Sequence, residues 1–504
     1  MKSIYMASLV ALALSMTSCG DDFLNVTSPT QVPSDEYFST KAHVEEAVVA
    51  AYDPLQWTDW SNGTYEPYIL MSDIMADDLW VGGSNKTDNE NWHLMANYSA
   101  TPLKVLTSIW IDGFSGVKRC NDVLQYIENG IPDATKKDID YWTAQVKVLR
   151  AFYANWLWKF YGNVPYYEKN LTEPYIQAQM PADELYEHMI GDLESAIALN
   201  CLDFRASDAE AGRVTTAMAY MLYAEIVMYQ RDNTRYAQAL KYMQEIITSP
   251  QYDLEPNYAR IFKEEGEWCQ ESIWEINYID DNAIRDWGNP MAAGGTVVPT
   301  LISPNNWPSG QDGHNGGWGF CPVRLETYNM YSPDDTRRDA TCWDVRSQAS
   351  TYNVRYQDFG FFLEKYAAQA DGNADQKASS ELNYNNNWRI YRYSEALLNA
   401  AELLVATGGS QADAKKYLND VRRRAGLRTE LEPTLDNILQ ERHLEFVGEG
   451  KRYWDLIRTD KAATTLVPDE YGYRTQTWSA NKKYLPIPQS EIDRAQGTLT
   501  QNPY

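Results

Sequence analysis

The sequence is poor in the residues and motifs on which catalytic and metal centres are usually built. Its five histidines are scattered, and they form neither an HExxH pair nor a Cys/His spacing typical of zinc. The GxSxG and P-loop motifs are also absent from it. We therefore expect no catalytic residue, no metal and no cofactor, and we predict that the protein is not an enzyme.

Basic residues are scarce beside acidic ones. The chain carries 44 Lys and Arg against 70 Asp and Glu, which gives a formal net charge of −26. Because phosphate binding needs clustered positive charge, this balance argues against a nucleic-acid partner and disfavours an anionic glycan. Beyond the N-terminus the sequence also lacks any run of about 18 apolar residues, so we expect no membrane-spanning helix.

The first residues have the character of an export signal with a lipid attachment site. Lys2 precedes an apolar run over residues 4–14, and the sequence MTSC at residues 16–19 resembles a lipobox. In such a sequence the signal is removed before the cysteine, which then carries lipid. We predict a signal peptide at residues 1–18 and an outer-membrane anchor on Cys19, exposed at the cell surface. The alternative is an ordinary signal with an incidental cysteine.

Helical periodicity dominates much of the chain. Apolar residues recur at three- and four-residue steps over 109–127 and 149–160, as expected for helices that bury one face. Residues 215–247 and 390–426 each predict a helix hairpin with the period of tetratricopeptide repeats, about 34 residues. In the second hairpin, Ser410 is placed to cap the second helix.

Several segments resemble one family of outer-membrane proteins. Residues 441–458 read ERHLEFVGEGKRYWDLIR, and the chain ends in YLPIPQSEIDRAQGTLTQNPY from Tyr484. Further matches follow in the same order as in the family: CGDDFLN from Cys19, residues 110–127, residues 150–165 ending in FYGNVP, and RYSEALLNAAELL from Arg392. Together these segments closely resemble the SusD/RagB family of glycan-binding lipoproteins.

The resemblance implies a fold, a function and a partner. Members of this family are mainly α-helical, with four tetratricopeptide-like hairpins on one side and a variable, loop-rich lobe that carries the ligand site. They bind a polysaccharide or oligosaccharide and lie as a lid over a SusC-like TonB-dependent transporter, which imports it. We expect the same fold, glycan ligand and transporter partner here.

The resemblance covers most of the mature chain, which predicts one SusD-like domain at residues 19–504. The predicted parts are a helical scaffold over about 36–56, 104–270 and 389–460, a loop-rich lobe over about 57–103 and 271–388, and a C-terminal segment over 461–504.

Two irregular segments are the candidates for the ligand site. Residues 77–98 and 280–321 show no sustained period and are rich in Gly, Asn and Trp, and long irregular stretches in compact proteins are usually functional or disordered. Sugars need flat aromatic rings with polar groups at their edges. The candidate glycan-binding residues are Trp80, Trp92, Trp287, Trp307, Trp318, Asp77, Asn85, Arg285 and Asn289. We predict that both segments meet on one face as a shallow stacking platform; the alternative is that these tryptophans anchor the loops.

Two other functions compete with glycan binding. A glycoside hydrolase on a helical scaffold would need two carboxylates on either side of the scissile bond, for which Asp77 with Asp78, or Asp280 with Asp281, are available. A scaffold that binds other proteins is the commonest use of tetratricopeptide-like helices and would need no glycan site.

Overall fold

The computed structural model of the protein describes residues 34–504, so the predicted signal peptide and Cys19 lie outside the described residues. Within this range the protein is mainly α-helical, which confirms the predicted fold class. None of the helices in residues 34–504 is long and apolar enough to cross a membrane.

The helices, in chain order, are α1 (Ser34–Tyr37), α2 (Lys41–Tyr52), α3 (Tyr68–Met75), α4 (Glu90–Ala96), α5 (Ser108–Asn129), α6 (Lys136–Tyr161), α7 (Ala182–Ala198), α8 (Thr216–Gln230), α9 (Tyr236–Thr248), α10 (Val298–Ile302), α11 (Leu325–Met330), α12 (Arg337–Thr341), α13 (Tyr393–Thr407), α14 (Gln411–Arg424), α15 (Leu435–Phe446), α16 (Arg452–Arg458), α17 (Ala462–Thr465) and α18 (Gln489–Arg494). The strands are β1 (Val164–Pro165), β2 (Gln179–Met180), β3 (Ser272–Ile276), β4 (Cys342–Asp344), β5 (Phe361–Leu363) and β6 (Trp388–Arg392). They form three two-stranded antiparallel sheets, β1 with β2, β3 with β6 and β4 with β5.

The long helices pack beside their neighbours in sequence. Helix α5 lies against α6 and α6 against α7, while α8 pairs with α9 and α13 with α14. Contacts between α9 and α13 join the two later pairs. The hairpins predicted at residues 215–247 and 390–426 therefore exist, and their assignment to tetratricopeptide repeats stays a prediction.

Local signals in the sequence explain where these helices begin and end. The Thr215 hydroxyl accepts a hydrogen bond from the Met218 N–H at 3.1 Å, and Ser410 accepts one from Asp413 at 3.2 Å. Such bonds satisfy amides that have no partner inside the helix. Gly408, with φ of 67°, ends α13 in the left-handed conformation that glycine adopts without strain.

One predicted helix start is wrong. Ile390, which we expected in the first stripe of the second hairpin, lies in β6, and all five residues of this strand are buried. Strand β6 pairs with β3. Strand β6 is buried on both faces although it carries Arg389 and Arg392, so it shows no alternation, and its apolar residues cannot be told from the edge of a buried helix.

The region between the helical parts consists of short elements joined by loops. Helices α3 and α4 and helices α10 to α12 lie here, together with β4 and β5. A small separate core of Trp307, Val345, Tyr352 and Phe362 supports part of these loops. This loop-rich part carries the aromatic side chains from which the candidate site is built.

Candidate functional site

Four aromatic side chains from three separate segments meet in the loop-rich part. Trp60 stacks on Tyr65 with ring centroids 4.5 Å apart, and Trp287 lies nearly parallel to Trp318 at 6.0 Å. The two pairs meet edge to face, with 5.5 Å between Trp60 and Trp287 and 5.4 Å between Tyr65 and Trp318. We call these four side chains the four-ring cluster.

Trp60 and Tyr65 flank a tight hairpin turn. The backbones of Ser61 and Thr64 exchange two hydrogen bonds of 3.1 and 2.8 Å, and the Asn-Gly pair between them has φ of 51° and 79°. Two consecutive positive φ angles define a type I′ turn, for which Asn-Gly is a favoured sequence. The residues on either side of this turn face each other, which brings the two rings into contact.

The hairpin is fixed to the start of α5. The Ser61 hydroxyl donates to the Asp112 carboxylate at 2.9 Å, and the hydroxyls of Thr64 and Ser108 lie 2.6 Å apart. The Glu66 carboxylate accepts hydrogen bonds from three consecutive amides at the positive end of the helix, the shortest at 2.7 Å. Burial raises the pKa of Glu66 to about 7, although these three amides lower it.

Arg285 joins the second segment to the hairpin. Its guanidinium makes two hydrogen bonds of 2.9 and 2.6 Å to the Asp59 carboxylate and donates to the Trp60 carbonyl at 2.8 Å. The Arg285 side chain is 3% exposed. The expectation that Arg285 contacts a ligand is therefore corrected, because protein groups take up its donors. It is a positioning residue that holds the following loop against Trp60.

The turn after Arg285 presents Trp287 to solvent. The Asp286 carboxylate accepts hydrogen bonds from the N–H groups of Gly288 and Asn289, both at 2.8 Å. Trp287 is 42% exposed, and Asn289 is exposed beside it. At this turn, the predicted ligand residues Trp287 and Asn289 are therefore both open to a glycan.

Trp318 is held by its backbone at the third corner of the cluster. Its N–H donates to the Thr300 carbonyl at 2.7 Å. At the preceding Gly317, an added Cβ atom would lie 2.2 Å from this same carbonyl. Only glycine lets the two backbones approach so closely. Trp318 is half-buried, so part of its ring remains accessible.

Trp92 lies behind the cluster. It is 2% exposed, its ring packs on Phe320 at 5.4 Å, and its Nε1–H donates to the Tyr65 carbonyl at 2.9 Å. Trp92 therefore has no ring face for a sugar, which corrects the prediction for this residue. Its hydrogen bond instead fixes the backbone that carries Tyr65.

Trp80 and Trp307 are also packing residues. Trp80 is 2% exposed and lies under the Arg324 guanidinium, 3.7 Å from its ring centroid. Trp307 is 4% exposed and belongs to the small separate core. The five predicted tryptophans thus do not form one platform, because Trp80, Trp92 and Trp307 are buried.

The predicted polar residues of the first segment are bound elsewhere. Asp77 accepts two hydrogen bonds of 2.8 and 3.0 Å from Arg452. Asn85 closes a local turn by accepting from the N–H of Thr87 at 2.8 Å. The hydrogen bonds of Asp77 and Asn85 therefore go to residues outside the four-ring cluster, and a ligand contact at either residue stays a prediction.

The Asp77 and Asp78 pair is poorly suited to either hydrolysis or metal binding. Asp78 is buried and bound to His443, and the donor atoms of Asp77, Asp78 and His443 lie within 4.8 Å of one another. The Arg452 guanidinium beside Asp77 supplies a fixed positive charge at this group. A cation would be repelled there, and a substrate would have to displace the ion pair.

The four-ring cluster offers both kinds of surface that a sugar needs. Its two ring pairs form walls at a steep angle, and the exposed side chains of Asn62 and Asn289 lie on the same two loops. Burial, with a contribution from the charge of Glu381, raises the pKa of Tyr65 to about 12. The Tyr65 hydroxyl therefore keeps its proton at neutral pH and can donate a hydrogen bond.

Trp60 and Tyr65 are absent from the residues predicted as ligand contacts. The signal that identifies them is the sequence WSNGTY, an Asn-Gly turn flanked by Ser61 and Thr64 with one aromatic residue on either side of these. This pattern predicts a hairpin with paired rings even where longer periodicity is missing.

Comparisons with known proteins agree with this architecture. The family profile described as "SusD family" matches residues 341–504, and the one described as "Starch-binding associating with outer membrane" matches residues 22–226. A solved structure of surface glycan-binding protein A from Bacteroides thetaiotaomicron, in complex with laminarihexaose, is 63% identical and covers 92% of this chain and 100% of its own, with a TM-score of 0.89.

The chain belongs to the SusD family. The surface glycan-binding protein A from Bacteroides uniformis is another similar SusD relative of known structure, 48% identical over 92% of this chain and 100% of its own, with a TM-score of 0.85. Among curated sequences, SusD-like protein P2 from Formosa agariphila is 24% identical over 99% of both chains.

Proposed function

We propose that the protein binds a neutral glycan at the cell surface through the four-ring cluster. The observation that carries this proposal is the meeting of four rings from separate segments, with Trp287 42% exposed. The C–H face of a sugar stacks on such rings, while its hydroxyls bond to polar groups at their edges. The formal net charge of −26 favours a neutral glycan over an anionic one.

We infer that the ligand class is a β-1,3-linked glucan. The relative that is 63% identical was solved with laminarihexaose. The angled walls of the four-ring cluster support the same inference, because they suit a chain that bends more than one that lies flat. Glycan capture requires no bond to be made or broken, and the carboxylates of Asp77 and Asp78 are bound to Arg452 and His443 rather than to the four-ring cluster.

The glycan-binding proposal is tested by electrophoresis in native gels that contain laminarin, with a gel lacking polysaccharide as reference. We expect retardation in laminarin and less in an anionic polysaccharide of similar size. Equal mobility in all gels would contradict glycan binding. New reducing ends after incubation with laminarin would instead favour the hydrolase.

We further propose that the protein is tethered by lipid on Cys19 and delivers its glycan to a SusC-like TonB-dependent transporter. The lipobox-like sequence and the family membership support this proposal. A partner would bind through the helical part, which leaves the four-ring cluster free. Co-purification with the transporter from mild detergent tests the complex, and a protein that always elutes alone would contradict it.

The variant Cys19→Ala should lose membrane retention.

A further inference from the structure

A second group of aromatic side chains is formed by two loops near the first. Phe359 and Tyr471 have ring centroids 4.7 Å apart, Tyr356 and Tyr473 5.1 Å, and Tyr471 and Tyr473 6.0 Å. All four side chains are partly exposed. We call Tyr356, Phe359, Tyr471 and Tyr473 the second cluster.

The turn that carries Tyr471 and Tyr473 is held rigidly. The Asp469 carboxylate accepts hydrogen bonds from the N–H groups of Tyr471 at 2.9 Å and Tyr473 at 3.1 Å, and from that of Arg474. The Arg474 guanidinium is in turn bound by the Ala76 carbonyl at 2.6 Å. Rings on a fixed backbone lose little freedom when a ligand binds, so they are suited to binding.

Trp80 forms the base of the second cluster. Its ring centroid lies 5.2 Å from that of Tyr473, 6.1 Å from Tyr471 and 6.4 Å from Phe359. Because Trp80 is 2% exposed, it supports the outer rings without being open itself. Because Trp80 fills the space beneath them, the outer rings remain partly exposed at the surface.

The second cluster is continuous with the four-ring cluster through adjacent backbone segments. The Gly83 N–H donates to the Gly319 carbonyl at 3.0 Å, and the Tyr356 N–H donates to the Gly83 carbonyl at 3.1 Å. Gly319 directly follows Trp318. The Gly83 backbone thus links the loop of Tyr356 directly to the residue that follows Trp318.

We propose that the second cluster is an additional glycan subsite, which contacts a polymer chain already held at the four-ring cluster. This inference rests on the proposed function. The chemistry of the second cluster suits a neutral polysaccharide, because its rings can stack on sugar faces and its tyrosine hydroxyls can bond to sugar hydroxyls. The Tyr471 hydroxyl lies beside the carboxylates of Glu326 and Glu470. Carboxylates can accept hydrogen bonds from sugar hydroxyls, and their negative charge disfavours an anionic chain.

The test compares a short and a long ligand on the same variants. Laminarihexaose and laminarin are titrated calorimetrically into the full mature protein and its Tyr471→Ala and Tyr473→Ala variants. We expect hexaose affinity to be unchanged and laminarin affinity to fall about fivefold to tenfold, because only the polymer spans both clusters. Tyr175→Ala is the matched control, since Tyr175 is a 66% exposed tyrosine outside both clusters.

The outcomes separate this inference from the proposed function. Laminarin affinity that stays at the wild-type value in both variants overturns the second subsite, and so does an equal loss of affinity for hexaose and laminarin. If Trp287→Ala loses affinity for both laminarihexaose and laminarin, the four-ring cluster is the main binding site, whether or not the second cluster contributes. If a variant lowers the melting temperature, its affinities are measured at a temperature at which both the variant and the wild type are fully folded.

Discussion

Trp80 and Trp287 are both loop tryptophans, and the structure gives them opposite environments. Trp80 is 2% exposed, with Arg324 over its ring, whereas Trp287 is 42% exposed at the end of a turn. A buried ring contributes to stability through packing, while an exposed ring can contribute to binding. The two residues should therefore respond differently to the same substitution.

We expect Trp80→Ala to lower the free energy of unfolding by about 3–5 kcal/mol, because truncation leaves a cavity under Arg324. Affinity for laminarihexaose should remain at the wild-type value in the protein that stays folded. Urea denaturation measures the first effect and calorimetry the second. Full stability with lost hexaose affinity in Trp80→Ala would place this residue in the binding site after all.

The sequence identifies loop tryptophans but not which of them are exposed. Trp287 and Trp318 belong to the four-ring cluster, whereas Trp92 and Trp307 are buried. In a segment without periodicity, no repeat marks the side that faces the core. Exposure there depends on partners distant in sequence, such as Tyr65, whose carbonyl binds Trp92.

At the scale of elements, the hairpin between Trp60 and Tyr65 depends on its Asn-Gly turn. Gly63 has φ of 79° and an added Cβ atom would meet no atom within 4 Å, so a substitution acts through backbone strain alone. We expect Gly63→Ala to destabilise the turn by about 1–2 kcal/mol. Glycan affinity should fall with it, because the two rings lose their fixed separation.

The matched control is Gly497→Ala, at a glycine with φ of 86° and equally open surroundings outside the hairpin. We expect this variant to lose a similar free energy of unfolding through backbone strain. Its glycan affinity, measured by calorimetric titration, should be unchanged. If Gly63→Ala and Gly497→Ala bind the glycan equally well, the turn does not position the rings for binding.

Elements with a helical period could be predicted well, and short buried elements could not. Helices α9 and α14 stand out by an apolar stripe because each buries one face over several turns. Helices α8 and α13 are buried on nearly all sides and stand out by apolar runs of helical length. Ile390 shows the limit, since a five-residue strand buried on both faces has no period of its own. The hairpin around Asn62 falls between these cases, because its signal is a turn sequence.

At the scale of the whole molecule, the C-terminal motif forms a buried network of ion pairs. Glu445 binds Arg392 at 2.9 Å and Arg337 at 3.0 Å, and it also binds Arg424. Burial would raise the pKa of Glu445, but these three guanidiniums hold it well below its usual range. Burial also acts on Glu225, where Lys159 and Lys451 lower the pKa from 4.5 to about 2.

These shifts predict a loss of stability in acid. Because the folded pKa of such carboxylates lies below the unfolded value, their contribution is complete above pH 4.5 and is lost as the pH falls towards 2. The carboxyl groups of Glu66 and Glu267 give stability the opposite dependence on pH. Burial raises their pKa values to about 7 and about 8, so their contribution is lost as the pH rises through these values.

We therefore expect the unfolding temperature to be highest near about pH 5 and to fall steeply below about pH 4. Calorimetric melts between pH 3 and pH 8 measure this profile. Glu225→Gln should flatten its acid side, because one titrating group is removed. An unfolding temperature that stays constant down to pH 3 would show that these ion pairs do not stabilise the fold.

The central claim is that the four-ring cluster binds the glycan, and calorimetric titration of laminarihexaose into Trp287→Ala tests it most directly. Stacking of one ring contributes about 1–3 kcal/mol in comparable aromatic contacts, and 1.4 kcal/mol corresponds to a factor of ten. We predict that Kd rises about tenfold or more while the melting temperature is unchanged, because Trp287 is 42% exposed. Wild-type affinity in Trp287→Ala, with Tyr175→Ala as the reference, would contradict the account.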